Sequence, residues 1–247
     1  MIKMFALLPK RPDITDAQFH EHWSTIHREH ALRITRLRRY VQAHRVDVAL
    51  DGPAVAPYDG IPEVWYDDLA AALGQNEDPD YTEYAQRDEP NFVAMDRIAF
   101  VPTAEHVVHA GGPVDQDAPG FKVILLLRRA EGVSPEDFAA RWPAVADAAL
   151  APRGAALRAV AATALPETYA DGDPTYDGFA ELFWDDLDAL RTDWSAFGAD
   201  VLAVLAEVAD LGRSHLYVAE ELRVIWPADD TALAPSAPTD STEEERS

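Results

Sequence analysis

An internal repeat is the feature that most restricts how this chain of 247 residues can fold. The segment IKMFALLPKRPDITDAQFHEHW, which begins at Ile2, aligns with FKVILLLRRAEGVSPEDFAARW, which begins at Phe121. Further along the chain, YDGIPEVWYDDLAAAL from Tyr58 aligns with YDGFAELFWDDLDALR from Tyr176 at nearly the same spacing. Two matches of this length at one spacing predict a tandem duplication of a single structural unit.

The repeat divides the chain into two units that are joined by a short linker. We expect the first unit at residues 1–109, the linker at 110–120 and the second unit at 121–226. The linker sequence AGGPVDQDAPG has the Gly, Pro and Asp content of a loop. The remaining segment, 227–247, is rich in Pro, Ser, Thr and acidic residues, which predicts a disordered acidic tail.

Both units show the same order of predicted elements, β-α-β-β-α-β. An apolar strand is followed by a turn and then by a helix with an N-terminal capping signal, at Thr15 in the first unit and Ser134 in the second. Two strands, a second helix and a last strand complete the unit, which is the ferredoxin-like arrangement. Because helices cover only one face of such a sheet, we expect an α+β fold in which the two units pack sheet to sheet as an intramolecular α+β barrel.

Composition limits the partners and the location of the protein. Hydrophobic residues make up 48% of the chain, but no apolar run reaches the roughly 20 residues needed to cross a membrane. The chain has no cysteine, which removes disulfides and thiolate sites and favours a cytoplasmic location. Its formal net charge of −23 disfavours binding to nucleic acid or to an anionic membrane surface.

The first unit also resembles a known protein family. Its predicted helix carries Phe19, Trp23 and His27 at every fourth position, and the strand that follows reads RYVQAH from Arg39. Together with the YDG-x-x-E segment that begins at Tyr58, these residues resemble the EthD branch of the dimeric α+β barrel superfamily. The resemblance covers nearly all of the first unit and, more loosely, the second. It implies a pocket between the sheet and the helices, but no single reaction, because this fold serves cyclases, decarboxylases, dehydratases, cofactor-free monooxygenases and haem proteins.

The two units differ mainly at polar positions. Half of the eight histidines of the chain lie in the predicted first helix: His20, His22, His27 and His30. None of them has a histidine at the aligned position of the second unit. In the strand, Ala159 replaces Tyr40 and Thr163 replaces His44. We therefore expect the first unit to hold the only site and the second unit to complete the barrel.

A helical wheel separates the four histidines. At 100° per residue, Phe19, Trp23, Ile26 and His30 form the apolar stripe that faces the sheet, and His27 lies at the edge of this stripe. His20 and His22 lie towards opposite sides of the helix, so we interpret them as surface residues. The four imidazoles are not expected to meet at one point.

The candidate catalytic residues are His27, His44 and Tyr40. An imidazole at the buried edge of a helix, near a second imidazole from the strand, can titrate near neutral pH and move protons. Tyr40, Gln42 and His44 share one face of the strand because side chains alternate. The candidate substrate-binding residues are Trp23, Gln42 and His30. This set is suited to removing a proton next to a carbonyl group and to holding the resulting enolate.

A metal ion or a haem is the alternative use of these histidines. His27 and His30 could share an ion and His44 could be a third ligand, but no carboxylate on that face completes a recognisable set. The resemblance permits a haem held by one histidine, yet the sequence contains no further haem signal. We therefore expect neither a metal nor a cofactor.

The sequence leaves several functions open. We predict a cofactor-independent acid/base enzyme of the cyclase, decarboxylase or dehydratase type, acting on an aromatic or polyketide-like carbonyl compound. The alternatives are a cofactor-free monooxygenase, in which a substrate carbanion meets oxygen, and a non-catalytic protein that binds a small hydrophobic metabolite for a partner enzyme. Because the chain contains its own pseudo-dimer, we expect a monomer or a further homodimer.

Overall fold

The structure is a computed structural model, and it describes residues 1–112, 114–170 and 172–227. The predicted disordered tail therefore lies outside the described residues, apart from Pro227. Within the described part of the chain, no helix is both long enough and apolar enough to cross a membrane.

The N-terminal half contains the repeat elements expected from the sequence, with irregular helices. Its first elements are strand β1, Ile2–Leu7, and helix α1, which consists of the α-helix Asp16–His22, the π-helical segment Trp23–His27 and the α-helical turn Arg28–Ala31. Strands β2, Arg39–Arg45, β3, Ala54–Val55, and β4, Gly60–Tyr66, follow. Helix α2, Leu69–Leu73, continues into the 3₁₀ turn Gly74–Glu77. Region α3 comprises the π-helical segment Tyr81–Ala85, the α-helical turn Gln86–Asp88 and the 3₁₀ turn Glu89–Asn91, and strand β5 is Ala99–His109.

The C-terminal half has the same order with longer, regular helices. Its elements are strand β6, Phe121–Leu127, helix α4, Pro135–Ala149, strand β7, Arg158–Ala164, the 3₁₀ turn Pro166–Tyr169, strand β8, Gly178–Trp184, helix α5, Leu187–Leu205, and strand β9, His215–Ile225. Both predicted caps are confirmed. Thr15 and Gln18 form a reciprocal capping box on α1, and the Ser134 side chain caps α4.

Eight strands form a closed antiparallel barrel. The order around the barrel is β2-β4-β1-β5-β7-β8-β6-β9, and β9 pairs back with β2. The halves join at two seams, β5 with β7 and β2 with β9, while the short β3 adds to β9 in parallel. The predicted α+β barrel within one chain is confirmed. Within each half the four barrel strands have the same order, second, third, first and fourth.

A square of opposite charges lies at the centre of the barrel, between the two halves. Lys3 and Lys122 each contact both Glu63 and Glu181, with Lys3 Nζ 2.8 Å from Glu63 and Lys122 Nζ 3.2 Å from Glu181. All four side chains are at most 1% exposed. Buried charges are tolerated only when they are paired, so each lysine fixes one glutamate from each half.

The outer faces of the two halves differ in how the helices cover the sheet. In the C-terminal half, α4 and α5 pack on the sheet through a continuous apolar layer that includes Phe138, Trp142, Leu190 and Trp194. In the N-terminal half, the layer between helices and sheet also contains buried polar groups, among them His27 and Gln42. The half with buried polar groups between its helices and its sheet is thus the N-terminal half, in which the sequence predicts a site.

Candidate active site

The π-helical segment of α1 changes which residues of this helix face the sheet. Phe19, Trp23, His27 and Ala31, spaced four positions apart, are all buried, whereas Ile26 is 51% exposed. A π-helical turn is wider than an α-helical turn, so residues four apart stay on one face. The expectation that Ile26 packs against the sheet is therefore wrong. His27, expected at the edge of the buried stripe, lies inside it.

A cavity of about 60 Å³ lies between α1, α3 and the sheet of the N-terminal half. Most of its wall is apolar, formed by residues such as Ala6, Ile34, Val64 and Phe92. The polar side chains that line it are His27, Tyr40, Tyr66, Gln75, Tyr81 and Glu89. A few polar groups that converge in an apolar pocket are typical of a binding or catalytic site.

Asp88 of α3 holds two histidines of α1. His27 Nδ1 lies 3.0 Å from Asp88 Oδ2, and His22 Nε2 lies 2.8 Å from Asp88 Oδ1. The Asn91 amide also donates to Asp88 Oδ1, at 3.1 Å. Because a carboxylate only accepts hydrogen bonds, His27 carries its proton on Nδ1, and Nε2 is left as an acceptor.

The protonation states suit His27 to act as a base. Burial lowers the pKa of His27, and this effect outweighs the opposing hydrogen bond and charge of Asp88. Burial alone would raise the pKa of Asp88, but the hydrogen bonds from His27, Asn91 and His22 lower it below its usual range. At neutral pH the pair is therefore a carboxylate beside a neutral imidazole of fixed tautomer.

The hydroxyl group of Tyr40 is the second polar feature of the cavity. It accepts hydrogen bonds from the Trp23 indole Nε1 and from the Gln42 amide Nε2, both at 3.0 Å. Two donors occupy the lone pairs of the oxygen, which leaves the hydroxyl hydrogen available to a ligand in the cavity. Burial raises the pKa of Tyr40 well above its usual range, so the hydroxyl stays protonated.

His44 lies behind this hydroxyl, outside the cavity wall. Its Nε2 lies 2.9 Å from Gln42 Oε1, and its Nδ1 lies 2.9 Å from His20 Nδ1. Since the amide oxygen only accepts, His44 carries its proton on Nε2, and His20 then donates from Nδ1. Burial, followed by the effect of His20, lowers the pKa of His44 to about 3. A chain of hydrogen bonds thus runs from His20 through His44 and Gln42 to Tyr40. In each of these bonds the donor is the residue that is farther from Tyr40.

The structure sorts the six predicted site residues into three groups. His27 and Tyr40 line the cavity. Trp23, Gln42 and His44 support the Tyr40 hydroxyl from behind, directly or through one amide. His30 is half-buried beside Tyr84, with ring centroids 6.4 Å apart, and does not line the cavity. In the described part of the chain, no group of three or more histidine or acidic side chains is arranged to hold a metal ion.

Sequence reasoning missed Asp88 and Glu89, which lie where the α-helical turn of α3 meets its last 3₁₀ turn. Glu89 is only 8% exposed; its Oε1 accepts a hydrogen bond of 2.7 Å from the Tyr81 hydroxyl, and its Oε2 is buried without a hydrogen-bond partner in the protein. Burial raises the pKa of Glu89 to about 7. The chain has 44 acidic residues, and no local sequence pattern distinguishes these two from the others. The one available signal is that the dipeptide precedes Pro90 in a segment without a close match in the second unit.

A larger cavity of about 430 Å³ adjoins the first. The two share three wall residues, Met4, Gln75 and Phe100. The C-terminal half provides part of the outer wall, including Glu167 and Thr175. The small inner cavity therefore lies next to a larger cavity, whose volume is within the range of about 300–1,000 Å³ that is typical of ligand pockets.

Comparison with solved structures identifies the fold class. The chain is similar to an anthrone oxidase-like protein (TM-score 0.60, 10% identity, 92% of this chain and 95% of that chain covered). It is also similar to a candidate monooxygenase from Fusobacterium nucleatum subsp. nucleatum (0.56, 10%, 90% and 91%) and to a candidate chlorite dismutase (0.51, 9%, 91% and 96%). At these identities the similarity shows a shared fold alone, that of the dimeric α+β barrel.

The comparison with protein families is more specific. Residues 11–96 match the EthD domain, so the recognition made from the sequence is confirmed for this part of the chain. Every candidate site residue from Trp23 to Glu89 lies within the matched range. No curated protein matches the chain.

Proposed function

We propose that the protein is an acid/base enzyme that removes a proton from a carbon atom next to a carbonyl group, using its own side chains. One observation carries this proposal: the Asp88-oriented imidazole of His27 lines the same small apolar cavity as the Tyr40 hydroxyl. A base and a hydrogen-bond donor in one cavity are what enolate formation requires.

His27 Nε2 takes the proton in this scheme. Its lone pair is fixed by the hydrogen bond that Nδ1 makes to Asp88, and the adjacent carboxylate stabilises the imidazolium that forms. The apolar wall excludes water, so the charge that develops interacts more strongly with the surrounding groups than it would in solvent.

The Tyr40 hydroxyl donates a hydrogen bond to the carbonyl oxygen, on which negative charge develops. Its hydroxyl hydrogen is free to donate because both lone pairs already accept hydrogen bonds. The chain through Gln42, His44 and His20 points all its donors at Tyr40, which strengthens the hydroxyl as a donor. We therefore assign His44 a positioning role, while His30 stays a prediction without a contact to the cavity.

The sizes of the two cavities support a ligand with a small reacting end and a larger body. The inner cavity of about 60 Å³ accepts the carbonyl end, and the outer cavity of about 430 Å³ accepts the rest. An aromatic or polyketide-like carbonyl compound fits this division. Cyclisation, decarboxylation and dehydration can each pass through the enolate that this site would stabilise.

A cofactor-free monooxygenase is the second candidate function. The names of two structural neighbours, an anthrone oxidase-like protein and a candidate monooxygenase, favour it. The same His27-dependent carbanion would react with O₂, and a methylene group plus one O₂ would become a carbonyl group plus water. A non-catalytic protein that binds a hydrophobic metabolite is the third candidate, and it would require no proton transfer by His27.

The barrel itself supports the wider proposals made from the sequence. We infer two ferredoxin-like units from one duplicated ancestor, because the strand order and the paired positions of Lys3 and Lys122 repeat between the halves. Because the barrel closes within one chain, it has no unpaired strand edge that a second chain would have to complete, which supports a monomer. We keep a cytoplasmic location as part of this proposal.

Deuterium exchange tests the proposed function. With 2-tetralone as probe in deuterium oxide, we expect the protein to accelerate exchange at the methylene carbon next to the carbonyl group, and His27→Gln to reduce this acceleration by about 10²–10⁴-fold. His106→Gln, at an exposed histidine paired with Asp147, is the matched control. An oxygen electrode on the same samples separates the candidates, since only the monooxygenase consumes O₂. Exchange that is equally fast in wild type and His27→Gln would contradict the assigned base.

A further inference from the structure

Glu89 is a buried carboxyl group that the proposed proton abstraction does not use. It lines the inner cavity together with His27 and Tyr40, and it is 8% exposed. Its neighbour in the chain is Asp88, the residue that orients His27. The two acids of this dipeptide therefore serve different purposes, one behind the imidazole and one in the cavity wall.

The two oxygens of Glu89 are in different situations. Oε1 accepts the hydroxyl hydrogen of Tyr81 at 2.7 Å, whereas Oε2 is buried and has no partner in the protein. Buried polar atoms are nearly always hydrogen-bonded, and the exceptions point to a ligand or to a catalytic role. A proton on this carboxyl group sits on Oε2, because Oε1 is already engaged as an acceptor.

The neutral form of Glu89 is substantially populated near neutral pH. Burial is the main cause that raises its pKa to about 7, and the negative charge of Asp88 adds to it, against the hydrogen bond from Tyr81. Near neutral pH the cavity therefore holds a neutral imidazole together with a carboxyl group that is protonated in a substantial fraction of the molecules. Such a pair, with one base and one acid held ready, is the usual arrangement for coupled proton transfer.

We propose that Glu89 is the catalytic proton donor to a leaving hydroxyl group, so that the site eliminates water from a β-hydroxy carbonyl compound. This rests on the proposed function of His27. His27 Nε2 takes the proton from the α-carbon, and the electron pair forms the C=C bond as the C–O bond at the β-carbon breaks. The Glu89 proton joins the departing oxygen, which leaves as water. Transfer of the proton from His27 to Glu89 through water restores both groups, and no oxidant or reductant is consumed.

The charge of the cavity wall favours this reaction over decarboxylation. None of the described residues that line the inner cavity is Lys or Arg, so a substrate carboxylate would find no cationic partner there. It would also lie close to Asp88 and Glu89. A neutral hydroxy ketone has no charge that would be left unpaired or repelled by these acids. Its hydroxyl group also offers Glu89 Oε2 the hydrogen-bond partner that the protein does not provide.

The aldol of benzaldehyde and acetone is a suitable probe, because its loss of water gives the conjugated enone benzalacetone, which absorbs in the near ultraviolet. Elimination and deuterium exchange at the α-carbon are measured on this one compound with the full chain. We expect Glu89→Gln to lower elimination by about 100-fold more than it lowers exchange. His27→Gln should lower both. Glu83→Gln, at an exposed acid of the same region, is the matched control.

The pH profile adds a readout that a structural role would not change. In wild type, elimination should fall as pH rises through about 7, because Glu89 loses its proton, and Glu89→Gln should lack this decline. Unchanged elimination in Glu89→Gln, or equal loss of exchange and elimination, would overturn the role of Glu89. Exchange that persists in His27→Gln would instead overturn the proposed function.

Infrared difference spectroscopy tests the Glu89 assignment without any substrate. We expect the protonated carboxyl C=O signal of wild type at pH 6 to lose one component in Glu89→Gln, while the component from Glu63 remains, and to be complete in Glu83→Gln. If wild type and Glu89→Gln give the same carboxyl bands at this pH, Glu89 is already ionised and the proposal fails.

Discussion

The base that we propose, His27, depends on its contact with a residue far away in the chain. The imidazole lies on the buried face of α1, and Asp88 reaches it from α3. Without that carboxylate either nitrogen could carry the proton, and burial alone would only make the ring harder to charge. At the residue scale, the site consists of pairs in which one side chain fixes the proton of another: Asp88 with His27, and Gln42 with Tyr40.

The stability of the protein should depend on pH through Glu89. Burial raises the pKa of Glu89 from its ordinary value of 4.5 to about 7, so the folded state favours the protonated form. The resulting stabilisation is complete below about pH 4.5 and is lost as pH rises through about 7. We expect the free energy of unfolding to fall over this range by up to about 3 kcal/mol more in wild type than in Glu89→Gln.

Urea unfolding at several pH values measures this difference. Part of the decline in the free energy of unfolding with rising pH should remain in Glu89→Gln, because burial also raises the pKa of Glu63 to about 7. Glu83→Gln should follow the wild-type curve. Wild type and Glu89→Gln curves that stay parallel between pH 5 and 8 would show that Glu89 is not protonated in the folded protein.

At the scale of elements, the π-helical segment of α1 and strand β2 build the site together. The wider turn at Trp23–His27 brings His27 onto the face that meets the sheet. Alternation along β2 puts Tyr40, Gln42 and His44 on the side that faces this helix. The Trp23 indole and carbonyl groups connect the two elements through Tyr40 and Gln42.

Replacement of Gln42 tests this connection. In Gln42→Leu, the Trp23 carbonyl, the Tyr40 hydroxyl and His44 Nε2 each lose a partner, and we expect a loss of about 1–3 kcal/mol in the free energy of unfolding. Deuterium exchange of 2-tetralone should also slow. If Gln42 acts through Tyr40, the double variant with Tyr40→Phe should be little slower than Tyr40→Phe alone. Effects on the exchange rate that simply add would contradict a shared role.

At the scale of the whole molecule, the two halves are joined by two strand seams and by the buried square of charges. Lys122 contacts Glu63 of the other half as well as Glu181 and Glu221 of its own half. Phe5 and Phe179 stack between the halves, with centroids 4.0 Å apart. Neither half can keep this interior without the other, so we expect the barrel to unfold as one unit.

Removal of one buried cation tests this interdependence. Lys122→Met leaves Glu63, Glu181 and Glu221 short of a positive charge, and we expect a loss of about 3–5 kcal/mol in the free energy of unfolding. Adding Glu63→Gln to this variant should recover part of the loss. Lys10→Met, which breaks a partly exposed ion pair with Asp16, should change stability by less than about 1 kcal/mol. A double variant less stable than Lys122→Met would argue against charge imbalance as the cause.

The repeat explains why much of the fold could be predicted from the sequence. Lys3 and Lys122 are aligned with each other in the first matched pair of segments, and they occupy equivalent places in the barrel. The capping residues Thr15 and Ser134 act over three positions, a distance at which local chemistry decides the structure. The helical wheel failed at Ile26 because it assumes one constant turn, and the turn of α1 widens in the middle.

By itself, the sequence determined the order of the elements, the barrel class, the EthD domain and the half that holds the polar residues. The periodicity and the capping residues depend on positions that are close together in the chain, and the repeat is found by aligning one half of the sequence with the other. Only the tertiary structure decided that Asp88 orients His27, that Glu89 lines the cavity and that His44 lies behind Gln42. These relations join residues through packing across helices and strands, and no periodicity or spacing in the chain specifies them.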